Sequence, residues 1–406
     1  MNNILSINTR PSFDETITRR EIHSYAPYSS ITVDSADNIV ISINQEDIYL
    51  LLSESSIYLE GAILKADGTA FTAGESPEFI NNGICFLFEE IRLEMNGFEV
   101  ETCKNPGITS CMKGYVSYSE NEMKKFSGTG WGNKKIKHSD NTFCGCIPLK
   151  FIFGFAENYE KIILNQRLDL ILCRSKTSKN ALKSTTGNDA KITLSKVLWR
   201  IPHIKVNDTK RLELLSYYKK NIPINMAFRK YNLNYYPDLP MTKNGTYRIK
   251  NCLGVELPRY LIFGFQTARD NDMTKDSSKF DHVKLKSMRV YLNSESFPYE
   301  NMNLDITQGR YIPLYTMYTE FQESYYDKFL SEPYLDYESF LNDAPLIVVD
   351  TSRQSELFKH SSTVDIRVEY SMEDNCPQNT TLFALIIHDC LLQLKPLTNI
   401  VQKIVN

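Results

Sequence analysis

The stretch IRLEMNGFEV, residues 91–100, decides the fold class of this chain. Ile91, Leu93 and Met95 alternate with Arg92 and Glu94. A β-strand turns successive side chains to opposite faces, so this spacing predicts one apolar and one polar face. Asn96-Gly97 follows at once. Both residue types accept positive φ, which a tight two-residue hairpin turn requires. Phe98-Glu99-Val100 then opens the returning strand.

Other segments repeat the pattern. Ile57, Leu59 and Ile63 alternate with Tyr58, Glu60 and Ala62, with Gly61 in phase as a bulge or a close approach. Leu168, Leu170 and Leu172 form a strand; Ile192 and Leu194, then Val197 and Trp199, form another, with Pro202 marking its end. Between Val283 and Leu292 the apolar positions pass from odd to even numbers, which predicts a bulge near Ser287. Leu346–Val349, Val364–Tyr370 and Leu382–Ile387 complete the set, and the first strand is expected at Ile39. Two helices are expected. One is capped by Asp208 and carries Leu212, Leu215 and Tyr218 on one face; the other carries Leu314, Met317, Tyr318, Phe321, Tyr325 and Phe329 as a stripe.

Many short strands with long loops and no alternating βα units predict a mainly β chain of two tandem jelly-roll sandwiches with a few short helices. The expected divisions are an N-terminal arm (1–30), a first jelly roll (31–205), a connector (206–222), a second jelly roll (223–395) and a C-terminal tail (396–406). FIFGF at 151–155 resembles LIFGF at 261–265, and IRLEMNG from Ile91 resembles MRVYLNS from Met288. Their offsets disagree and their order is reversed, so they do not define a tandem repeat.

The 406 residues have a net charge of −3, spread unevenly. Arg174–Lys220 holds twelve basic and three acidic residues, whereas Glu295–Asp374 holds sixteen acidic and five basic. Such poles suit contact between copies, or a basic face towards nucleic acid. Lys210, Arg211, Lys219 and Lys220 are the candidate basic surface. The Tyr-rich stretches make Tyr231, Tyr235, Tyr236, Tyr315, Tyr318, Tyr325 and Tyr326 candidate subunit contacts. The nine scattered cysteines read as reduced thiols rather than a disulfide framework. The first twenty residues lack the apolar core of a signal peptide, and no run of about 18 apolar residues predicts a membrane span.

Catalytic signatures are missing. The glycine-rich GTGWGNKK at 128–135 lacks the spacing of a phosphate-binding loop and reads as an exposed loop. The six histidines are far apart, and the acids around Asp336, Glu338 and Asp343 lack the spacing of a calcium loop. No catalytic, cofactor-binding or metal residue is assigned, and an enzyme is not expected.

Several blocks in order carry a resemblance: FRKYNLNYYPDLP from Phe228, ELPRYLIFGFQTARDN from Glu256, VYLNSESFPYENMNLD from Val290, RYIPLYTMY from Arg310, APLIVVDTSRQSE from Ala344, VDIRVEY from Val364, NTTLFALIIHD from Asn379 and PLTNIVQKI from Pro396. In the first half, FEEIRLEMNG from Phe88, NPGITSCMKGY from Asn105 and the segment from Ile147 to Ser175 join them. Over roughly residues 35–405 the chain resembles the double jelly-roll capsid proteins of adintoviruses, Polinton/Maverick-type DNA elements and their relatives in arthropod genomes. The resemblance implies a major capsid protein of the virion: three chains form a pseudo-hexagonal capsomer, and capsomers tile an icosahedral shell around double-stranded DNA. Implied partners are copies of itself, a vertex protein and packaged DNA on a basic face. The alternative is a domesticated or minor-vertex jelly-roll protein that recognises a receptor or glycan.

Overall fold

The computed structural model describes residues 15–28, 38–44, 49–72, 75–133, 136–184, 189–249, 258–293, 295–353 and 364–404. Residues 1–14 of the expected arm, Cys252 and His360 lie outside them. The first half runs β1 (Ile17–Tyr25), β2 (Asn38–Ile43), β3 (Tyr49–Leu50), β4 (Ser56–Lys65), β5 (Glu78–Phe79), β6 (Phe88–Met95), β7 (Phe98–Lys104), α1 (Pro106–Ser117), α2 (Glu120–Met123), β8 (Thr142–Pro148), α3 (Gly154–Asn158), β9 (Ile163–Leu164), β10 (Leu168–Arg174), β11 (Leu182–Lys183) and β12 (Ala190–Val206). Helix α4 (Asp208–Lys219) leads to the second half: β13 (Ile224–Tyr236), β14 (Asn244–Ile249), β15 (Pro258–Thr267), β16 (Leu285–Leu292), β17 (Glu295–Phe297), α5 (Ile312–Tyr326), α6 (Tyr337–Asp343), β18 (Ile347–Asp350), β19 (Ile366–Met372), β20 (Thr380–Lys395) and β21 (Ile400–Ile404).

Strand order makes each half a jelly roll. In roll 1, β1-β12-β4-β8 faces β2-β10-β6-β7; in roll 2, β13-β20-β15-β18 faces β14-β19-β16-β17. The two sets correspond strand for strand, all pairings being antiparallel. Strands β6 and β16 occupy equivalent places, so the IRLEMNG and MRVYLNS blocks are structural counterparts after all. The FIFGF and LIFGF blocks are not: the first leads into α3, the second lies in β15.

The alternating residues form the cores. Ile57, Leu59, Ile63, Ile91, Leu93, Met95, Leu168, Leu170 and Leu172 are fully buried in roll 1, as are Val290, Ile366 and Val368 in roll 2. Asn96 and Gly97 take positive φ in the β6–β7 turn. The register slips between Leu285 and Ser287, where the bulge is expected. In β20 the run from Ala384 to His388 is buried on both faces. Two-sided burial explains why this segment reads as continuously apolar rather than alternating.

Four expectations change. The first strand is not at Ile39: Ile17–Tyr25, within the expected arm, pairs with β12 as β13 pairs with β20. Pro202 does not end β12, which continues to Val206; its carbonyl accepts the Leu51 N–H (3.1 Å). Asn207 rather than Asp208 caps α4, accepting the Lys210 N–H (2.8 Å), and α4 buries none of its residues. Phe329 lies beyond α5, which ends at Tyr326. At the C-terminal end, β21 pairs with β20 within the expected tail.

Gly61 is a close approach. A Cβ there would lie 2.2 Å from the Thr193 carbonyl oxygen, beside the register slip between Leu194 and Lys196. Gly61→Ala is therefore expected to lose roughly 1–3 kcal/mol of stability through forced backbone displacement. Urea unfolding measures this, and an unchanged midpoint would contradict it.

Candidate functional site at the seam between the rolls

A jelly roll that stands beside another must cover an open sheet edge. The outer edge of β13 carries backbone donors that no strand of roll 2 accepts. Roll 1 supplies the acceptors. Asn158 Oδ1 takes the Arg229 N–H (2.8 Å), and Glu101 Oε1 takes the Tyr231 N–H (3.1 Å). The same Glu101 carboxylate accepts the Gly154 N–H (3.2 Å) and the Phe155 N–H (2.9 Å) at the start of α3. Glu101 is wholly buried. Burial pushes its pKa up to about 7, against the three backbone donors that favour the charged form. Gly154 is at the tightest point: a Cβ there would stand 1.6 Å from the Arg229 carbonyl oxygen.

Next to it lies a buried ion pair. Lys113, on α1, is 1% exposed and sits 3.2 Å from Glu157 of α3. Its Nζ also donates to the hydroxyls of Ser117 (2.7 Å) and Tyr326 (2.9 Å). Hydroxyls from roll 2 saturate Glu157: Tyr325 at 2.9 Å, Tyr326 at 2.5 Å, and Tyr231. Lys113 Nζ and the Arg229 guanidinium each lie 4.3 Å from the Tyr325 ring centroid. Desolvation drives Lys113 down to about 8, with Glu157 drawing it back up. For Glu157 burial alone would raise the pKa, but Lys113 and the tyrosine hydroxyls hold it below the usual carboxylate value. A charge pair this deep persists because every partner is hydrogen-bonded.

The seam continues along the molecule. Tyr318 donates to the Tyr115 carbonyl (3.0 Å) and accepts the Leu335 N–H (3.1 Å). Tyr334 rests against Trp131 and Tyr115. Trp131 is 1% exposed, so the GTGWGNKK segment is not simply an exposed loop: its indole is core. Lys328 pairs with Glu122, and Asn180 with Asp270. At the α4 end, Asn96 donates to the Asn399 carbonyl (2.9 Å).

The sequence-derived sites scatter across this geometry. Tyr231, Tyr318 and Tyr325 are buried and Tyr326 and Tyr315 half-buried; the first four bind across the seam, so the contacts they make join rolls of one chain. Tyr315 donates to the Leu335 carbonyl within roll 2. Tyr236 stacks on Tyr247, and Tyr235 alone of the seven is well exposed, at 53%. On α4, Arg211, Lys219 and Lys220 are exposed, and Lys210 pairs with Glu213. Asp336 caps α6 through the Ser339 N–H (2.7 Å) rather than standing in a calcium-like loop. Sequence reading missed Glu101, Lys113, Glu157 and Gly154. The one available signal was a lone lysine inside the apolar helix of 106–117.

Among the described residues no group of three or more His, Cys, Asp or Glu is placed to hold a metal ion, and no helix is long and apolar enough to cross a membrane. Eight described cysteines are free thiols.

Two jelly rolls, joined edge to flank by a hydrogen-bonded polar seam, define a tandem double-jelly-roll protein. The family profile of the double jelly roll-like domain matches residues 78–392, and the chain belongs to that family. No curated protein matches it in sequence. Among solved structures, it is similar to VP54 of PBCV-1 fitted into a reconstruction of the virophage Sputnik (10% identity, TM-score 0.63, 97% of this chain and 98% of that one). It is similar also to the Faustovirus major capsid protein (11%, 0.60, 97% and 93%) and to the mavirus major capsid protein (9%, 0.60, 100% and 93%). At these identities the likeness is one of fold.

Lys113→Met leaves Glu157 buried without its cation and is expected to lose about 3–5 kcal/mol. Glu157→Gln in the same chain should recover part of it in a double-mutant cycle by urea unfolding; strict additivity would contradict the pairing. Glu101 gives a pH signature. Its folded pKa, about 7, exceeds the ordinary 4.5, so the folded state retains a proton that the unfolded state releases. This stabilisation is complete below pH 4.5 and is lost as pH rises to 7. Glu101→Gln should flatten that slope in stability measured from pH 4.5 to 7.

Proposed function

We propose that this chain is the major capsid protein of an icosahedral double-stranded DNA virus or virus-like element. The observation that carries the proposal is the seam. It turns two sandwiches into one block of fixed geometry, which is what a shell tile requires. The full-length fold likeness to viral capsid proteins supports the same reading, because both chains are covered almost entirely. The ordered sequence blocks support a place among adintovirus- and Polinton-like elements.

In this reading three chains close into a homotrimer whose six rolls give a pseudo-hexagonal outline. Capsomers then tile a shell that a separate vertex protein completes. Heterologous contacts of this kind close into rings when the rotation permits. The roles divide as rolls 31–205 and 223–395 around the connector 206–222, with β1 extending roll 1 back into residues 1–30. The exposed Lys219 and Lys220 on α4 face packaged DNA or an acidic neighbour. Tyr235 is the contact tyrosine whose ring is most available to a neighbouring copy. The chain performs no catalysis and functions in the virion.

Negative-stain images and sedimentation of the purified chain are expected to show trimers that progress to closed particles. A monomer that persists across protein concentration and salt would overturn the proposal. Lys219→Glu with Lys220→Glu should reduce particle yield or nucleic-acid content; unchanged yield and content would remove the basic face from the assembly.

A further inference from the structure

A cleft of about 1190 Å³ opens on the outer face of β14-β19-β16, under the loop from Asn301 to Arg310. It lies apart from the seam, and its lining has a distinct chemistry. Five cations border it; Lys284 pairs with Asp374 (2.6 Å), which leaves four, Lys243, Lys286, Arg289 and Arg310. None of the four makes a side-chain ion pair or hydrogen bond among the described residues. Arg289 Nε is fully buried at the cleft wall and has no hydrogen-bond partner there. Nearby acids are already engaged: Glu373 accepts from Thr307 (3.0 Å), Glu369 lies near Arg367 (3.5 Å), and Asp305 accepts the Gln308 N–H (3.0 Å). This cationic site stands beside the most acidic part of the sequence, Glu295–Asp374.

The rest of the lining selects the class of ligand. Side chains of Asn244, Thr246, Ser287, Asn301 and Asn303 bring amides and hydroxyls to the same surface. Amides, hydroxyls and carboxylates together serve groups that both donate and accept, as ring hydroxyls do. A nucleic acid would need open rings to stack on, but of the two lining tyrosines Tyr291 is already covered by Arg367 (4.5 Å) and Tyr370 is buried. Stacking platforms for bases are therefore not on offer.

We propose that this cleft binds an acidic oligosaccharide, its sulfate or carboxylate groups held by Lys286, Arg289 and Arg310 and its ring hydroxyls by the amides. The site does not depend on the capsid reading; it belongs to roll 2 of the single chain.

The test is surface-plasmon binding of the full chain to a sulfated hexasaccharide, to sialyllactose and to a single-stranded oligonucleotide of matched charge. Binding of either saccharide, weakened by salt, is expected. Lys286→Glu with Arg310→Glu, both at exposed positions, should lower that affinity roughly tenfold or more while thermal melting stays unchanged. Arg289→Lys removes the buried Nε donor and should weaken binding without abolishing the charge. Lys219→Glu with Lys220→Glu on α4 should leave binding intact. No saccharide binding, equal binding by the cleft variant, or tighter binding of the oligonucleotide would each overturn the proposal.

Discussion

The structure depends on one constraint: the outer edge of β13 must not be left open. An unpaired strand edge in a large sheet is a template for unwanted pairing. Here side chains of the other roll, rather than another strand, take two of its N–H groups. Asn158 and Glu101 take the two N–H groups. Glu101 also ties the start of α3 to the same point, so a single carboxylate fixes β7, α3 and β13 relative to one another. Gly154 is what lets the backbones come close enough for this.

Around that point the chain accepts an expensive arrangement, two buried carboxylates and a buried lysine, and offsets it with full hydrogen bonding. Hydrophobic residues alone would hold the rolls together as tightly or more so. They would not fix the angle between them. Hydrogen bonds with defined geometry at Glu157 and Glu101 restrict sliding and rotation of one roll against the other.

Much of the fold was legible in the sequence because sandwich strands with one solvated face write a period of two. IRLEMNGFEV and the phase change at Ser287 gave correct strands, a correct hairpin and a correct bulge. The limits have physical causes. β20 and β15 are buried on both faces, so alternation disappears there. β1 is polar along its length, with every residue exposed or half-buried, so no apolar pattern announces it. The tyrosines read as candidate subunit contacts, and Tyr231, Tyr318, Tyr325 and Tyr326 instead join the two rolls of one chain, because composition does not distinguish a contact within a chain from one between chains. The seam was illegible for a related reason: Glu101, Lys113 and Glu157 are far apart in sequence, and only the packing of α1 and α3 against β13 and α5 makes them neighbours. The strand-for-strand correspondence of the rolls was hidden as well, since the FIFGF echo drew attention to a pair of segments that are not equivalent.

The seam's division of labour bears on how the polypeptide matures on the ribosome. The buried side chains of Glu101, Lys113 and Glu157 belong to the N-terminal half, while the Tyr231, Tyr325 and Tyr326 hydroxyls and the Tyr231 N–H that complete their hydrogen bonding arrive with β13 and α5. During synthesis the earlier half therefore emerges with a hydrated, charged flank. Water leaves that flank only when the later half docks, so a truncated translation product keeps a polar face where a finished one has a sealed joint.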